Sequence, residues 1–115
     1  MMNCEAEFAK LEIFVPESHF EAIRAALQQE DAGHIGNYDS CLSTTKVQGY
    51  WRPLAGADPY DGEIGKLCSA PELKVEVCCR VDRLPATLRA LKAAHPYEEP
   101  VINVLPLLAT GLSEL

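Results

Sequence analysis

Two short segments carry the residues best suited to chemistry. One is Gly33-His34-Ile35-Gly36-Asn37-Tyr38-Asp39-Ser40-Cys41; the other is His95-Pro96-Tyr97-Glu98-Glu99-Pro100. Each sets an imidazole, which can bind a metal or carry a proton near neutral pH, beside carboxylates or hydroxyls. His34, His95 and Glu98 would supply three ligands for a divalent metal ion, zinc or similar, if the fold brought both segments together. The plainer alternative is that each histidine pins its own corner by a hydrogen bond. Gly33, Gly36 and Asn37 suit either an amide nest for an anion or a tight turn, and the turn is the more ordinary use. Cys41 with His34 offers a nucleophile and a base but no third orienting group. No G-x-S-x-G elbow, P-loop or H-E-x-x-H is present, so an enzyme is the weaker class.

The elements that must hold these segments follow from apolar spacing. Ala9, Leu11, Ile13 and Val15 alternate with Lys10 and Glu12, which predicts a half-buried strand ended by Pro16. Ser18 and Glu21 have capping-box spacing, and Phe20, Ile23, Ala26 and Leu27 form one stripe of a helix over about 17–31. Gly33 is its expected stop. A second strand, 40–51, is rich in Ser, Thr and Tyr with weak alternation, which suits an edge strand or one facing a partner subunit. Residues 72–81 give the clearest strand. Asp82 is its following helix's expected cap, Leu84, Leu88, Leu91 and Ala94 its buried stripe, and Pro96 its end. Residues 101–108 form the last strand, and 109–115 are expected to fray. This order predicts an α+β, ferredoxin-like βαββαβ domain, its four-stranded antiparallel sheet carrying both helices on one face. One domain is expected, with its core at about 9–108. The two histidine corners are expected at the same end of the sheet, since each follows a helix and leads into a strand.

Between the middle strands, residues 53–66 hold two prolines and three glycines, a length of loop enriched in function. Glu63 and Lys66 within it can pair with each other or bind a ligand. Trp51, Tyr60 and Tyr97 can line a pocket, or serve as interface aromatics. Asp58 and Asp61 read as turn-forming acids, and His19 as a solvated residue.

Seventeen acidic and ten basic residues give a net charge of −7, which disfavours nucleic acid and is compatible with cations. No stretch is apolar enough to predict a membrane span, and the start lacks a secretory pattern, so the expected location is cytoplasmic. Cys4, Cys41, Cys68, Cys78 and Cys79 are then expected as reduced thiols. Cys78 and Cys79 should face opposite sides of their strand, Cys79 toward the core.

The pattern also resembles a known domain. Phe14-Val15-Pro16-Glu17, Gly33-His34-Ile35-Gly36-Asn37-Tyr38, Cys41, Arg52-Pro53-Leu54, Gly56-Ala57, Pro59-Tyr60, Gly62-Glu63-Ile64-Gly65-Lys66-Leu67 and Ala94-His95-Pro96-Tyr97-Glu98-Glu99 are similar to the YqfO-type domain of the Nif-three-like proteins. The resemblance covers about 9–108. Larger family members carry this domain as an insert in a dinuclear-metal protein, whose metal ligands have no counterpart here. The resemblance implies a fold like the PII and CutA proteins, which pack into trimers, with a functional loop where this chain has 53–66.

The expected function is a homo-oligomeric, trimer-favouring PII/CutA-like regulatory or binding module for a small ligand or divalent cation. His34, Asn37, Glu63, Lys66 and Tyr97 are its candidate ligand contacts. A protein-interaction module for a separately encoded partner is the alternative, and a metal-dependent hydrolase a further one.

Overall fold

The computed structural model describes residues 5–113; Cys4 and the last two residues of the tail lie outside them. Strand β1 (Phe8–Val15) alternates as its sequence predicts, burying Ala9, Leu11, Ile13 and Val15. It is followed by α1 (Phe20–Gln29), β2 (Ser43–Trp51), β3 (Cys68–Arg80), α2 (Leu84–Ala94) and β4 (Ile102–Leu107). The sheet order β2-β3-β1-β4, antiparallel throughout, is the ferredoxin-like arrangement.

Both helices cover one face. Ile23, Ala26 and Leu27 of α1 and Leu91 of α2 close over Leu11, Ile13, Val15, Val75 and Val77. Each large apolar side chain taken fully from water there contributes roughly 1.5–3 kcal/mol. Cys79 joins this core, and burial, followed by the neighbouring Cys78, pushes its thiol up to about 11. Cys78 points the other way, with Lys74, Glu76 and Arg80.

The helix starts depart from expectation. Ser18 does not cap α1: a 3-10 turn at Glu17–His19 comes first, and the Ser18 hydroxyl meets His19 Nδ1 at 2.9 Å. Asp82 does not cap α2 either, because Arg80 takes its carboxylate in two hydrogen bonds of 3.2 and 3.1 Å. In both cases the side chain bonds a neighbouring side chain and no orphan amide. Within the tail, Ser113 N–H closes a turn on Thr110 O at 3.0 Å.

Strand β3 begins four residues before the alternating stretch, pairing Cys68–Pro71 with Gln48–Trp51. Here β3 runs beyond its pairing with β1, which begins at Leu73, and the molecule is 50 Å in its longest dimension. On the uncovered sheet face, Lys10 pairs with Glu76, and Glu12 lies 3.3 Å from Lys74. Phe8 and Phe14 of β1 share this face with them.

Candidate functional site

The two histidine corners lie at opposite ends of the sheet, correcting the expectation that they share one. Helix α1 runs back along β1, so its corner sits at the start of that strand, where Gly33 N–H donates to Cys78 O at 2.7 Å. Strand β3 runs antiparallel to β1, so α2 returns toward the end of β1, where His95 Nε2 donates to Phe14 O at 2.7 Å. Phe8 and Phe14 are six residues apart, which in an extended strand is roughly 20 Å.

His34 is committed to its own corner. Its Nδ1 donates to Asp31 Oδ1 and its Nε2 to Gly36 O, both at 2.9 Å. The Asp31 hydrogen bond, then that to Gly36, raises its pKa, since both acceptors favour the doubly protonated ring. Ile35 and Tyr38 exchange backbone hydrogen bonds around Gly36 and Asn37, so these two form a hairpin turn. Asn37 is exposed.

The other corner opens on a cleft of about 970 Å³ between the 53–61 loop, the end of the β2–β3 hairpin and residues 97–101. Its floor is the uncovered sheet face: Phe14, Val47, Gly49, Trp51 and Glu72 all have that parity. Tyr97 is the hub of its wall. The Tyr97 ring lies 6.4 Å from Trp51, 5.9 Å from Tyr60 and 4.8 Å from His95, centre to centre. His19 is half-buried, not solvated, and stands edge-on to Tyr60 at 5.7 Å.

Glu72 is the residue that sequence reasoning missed. Its carboxylate is only 7% exposed and accepts the Tyr97 hydroxyl at 2.6 Å. Among the described residues no basic side chain comes within 4.0 Å of it. Gly49 on β2 makes the room, because a Cβ there would stand 2.1 Å from Glu72 Oε1. Burial, then the hydrogen bond to Glu72, holds the Tyr97 phenol far above its ordinary pKa, so Tyr97 stays a donor.

The loop is tied to this wall. Gly65 N–H donates to Pro53 O at 2.7 Å, Trp51 Nε1 to Asp61 O at 2.9 Å, and Asp58 N–H to Glu98 Oε1 at 2.9 Å. Glu63 and Lys66 pair with each other at 2.7 Å, exposed and outside the cleft lining. Replacing Glu98 with Ala should free the Asp58 amide. Hydrogen exchange over 54–61 should then speed several-fold while exchange in β1 stays unchanged; equal exchange in the loop would show that this tie holds nothing.

Of the ligand candidates, the cleft gathers Tyr97 but not His34, Asn37, Glu63 or Lys66. Of the metal candidates, Glu98 lines it, His95 is buried behind Tyr97, and His34 is at the far end. Among the described residues no group of three or more His, Cys, Asp or Glu side chains is placed to hold a metal ion.

No family model matches the chain. The GTP cyclohydrolase 1 type 2 homolog of Halalkalibacterium halodurans is 38% identical over 102 residues, which are 89% of this chain and 27% of that protein. The homolog from Listeria monocytogenes is 40% identical over 101 residues, 87% of this chain and 27% of that one. A Bacillus cereus protein related to NIF3 superposes with a TM-score of 0.79 at 34% identity, over 90% of this chain and 26% of its own. This chain is a homologue of one segment of the NIF3-related proteins. It spans about a quarter of the length of the NIF3-related relatives it matches. The fold extends further: the periplasmic divalent cation tolerance protein CutA from Archaeoglobus fulgidus superposes at 0.66 with 19% identity, over 90% of this chain and 86% of its own. Among the described residues no helix is long and apolar enough to cross a membrane.

Proposed function

We propose that the chain is a PII/CutA-like regulatory or small-ligand-binding module that works as a homo-oligomer and binds its ligand in the Trp51–Tyr97 cleft. The observation that carries this reading is Glu72, a buried carboxylate lining an open aromatic cleft, with a tyrosine hydroxyl but, among the described residues, no cation as its partner. A buried charge without a counter-ion costs stability that a core residue has no reason to bear. A carboxylate so placed, on the wall of an open aromatic cleft, is positioned to meet a ligand.

Assembly is supported by the apolar surface left uncovered. Tyr50, Leu54, Leu67 and Leu105 are all exposed, on the hairpin, its loop and β4. Strand β2 leaves one sheet edge unpaired. A trimer is the expected state, on the likeness to the CutA fold. A divalent ion fits poorly within one chain, where His34 and His95 have both ring nitrogens engaged at opposite ends of β1. Such a site would need donors from a second copy.

Native mass spectrometry of untagged protein, purified without chelator, tests the reading. A homo-oligomer carrying stoichiometric added mass is the expected result. A clean oligomer that holds a second protein instead would favour the interaction-module alternative, for which the same exposed apolar residues are the supporting observation.

A further inference from the structure

We infer that the cleft takes a ligand bearing an organic cation, an ammonium or guanidinium group, with Glu72 as its counter-ion. This rests on the binding-module reading and names the ligand class for that same cleft.

Charge points the same way as burial. Among the described residues, Asp61, Glu72, Glu98 and Glu99 line the cleft against a single base, Arg52. Glu98 accepts the Asp58 amide on one oxygen and is exposed, as are Asp61 and Glu99, whereas Glu72 is buried. Tyr97 donates its hydroxyl to Glu72 at 2.6 Å, and among the described residues no basic side chain lies within 4.0 Å of that carboxylate. The chain's net charge of −7 adds a field that concentrates cations.

The lining decides between an organic cation and a metal ion. A metal ion needs several convergent donors, and Glu72 has one hydrogen-bonded carboxylate among aromatic rings. An ammonium or guanidinium is satisfied by one carboxylate and by ring faces, and Phe14, Trp51, Tyr60 and Tyr97 supply those. Gly49 serves this arrangement too: any side chain there would displace the carboxylate from the floor.

Trp51 is the chain's one tryptophan and lines the cleft, so its fluorescence reads occupancy directly. The full chain is titrated with agmatine and with tetramethylammonium, and in parallel with succinate and phosphate at matched ionic strength. The cations should give a saturable change that the anions do not. Glu72→Gln should weaken it at least about tenfold, and Tyr97→Phe, which keeps the charge, only a few-fold. Circular dichroism melts check that both variants fold. If Glu72→Gln fails to fold, the contrast between cations and anions in the wild type still decides. Saturation by an anion but by neither cation overturns the ligand class while leaving the binding module intact. Cation binding unchanged in a folded Glu72→Gln overturns the counter-ion role. No response to any probe, with no added mass in the native spectrum, overturns both readings. Added mass that proves neutral or anionic overturns this one alone.

Discussion

Gly33→Ala should destabilise the protein by roughly 2–5 kcal/mol, the sum of backbone strain and overpacking. Gly36→Ala, three residues on, should cost only about 1 kcal/mol. Both glycines have positive φ, +80° and +58°, so an L side chain is strained at either. They differ in what a side chain would meet. At Gly33 a Cβ would stand 2.5 Å from Cys41 O and 2.9 Å from Cys41 N, backbone atoms that cannot swing aside. Gly33 O also accepts from Cys41 N–H at 2.9 Å, while Gly33 N–H is held by Cys78 O. The clash therefore breaks the join between α1, β2 and β3. At Gly36 a Cβ meets nothing within 4 Å. Urea unfolding with an unchanged slope measures both losses. Equal losses would show that backbone conformation alone, and not the close approach, makes Gly33 necessary.

The sequence carried the fold more fully than the site, for physical reasons. Leu11 and Ile13 alternate with Lys10 and Glu12 because one sheet face is covered and the other is not. The Ser- and Thr-rich β2 lies at the sheet edge as its weak pattern predicted. The start of β3 was hidden because Cys68–Pro71 has only β2 beside it. That makes it locally an edge, where Pro71 is tolerated and alternation is relaxed. The placing of His34 and His95 at opposite ends was legible from strand order, since α1 and α2 return along antiparallel strands. Counting both as helix-to-strand corners ignored that direction. Trp51, Tyr60 and Tyr97, which the sequence offers as pocket or interface aromatics, all lie along the cleft. Glu72 gave no local signal. It reads as the polar start of a strand until the register sets it opposite Val47, with Gly49 as its next neighbour on the same face.

His95 is where chemistry and architecture separate most cleanly. The ring is 7% exposed; its Nε2 donates to Phe14 O at 2.7 Å, and its Nδ1 accepts from Tyr97 N–H at 3.2 Å. These bonds fix one neutral tautomer and join the end of α2 to β1. His95→Ala should therefore cost roughly 2–4 kcal/mol, since it leaves a cavity and a part-buried carbonyl without its donor. His95→Gln, which can still offer an N–H to Phe14 O, should recover part of that loss. The pH dependence goes further. Burial lowers the His95 pKa from its ordinary 6.5, against the opposing hydrogen bond to Phe14 and the charge of Glu72, and with the help of nearby His19. A group whose folded pKa is lowered binds more protons when unfolded, so its neutral form stabilises the fold fully above pH 6.5. That contribution is lost as pH falls from 6.5 toward the folded value. The His34 pKa is raised, and it acts in the opposite sense, its contribution fading as pH rises, but it is exposed and its effect is small. Unfolding in urea at pH 8 and pH 5.5 should show the wild type losing stability on acidification. His95→Gln should be distinctly flatter. An identical loss in His95→Gln would assign the acid sensitivity to another group and leave His95 as packing alone.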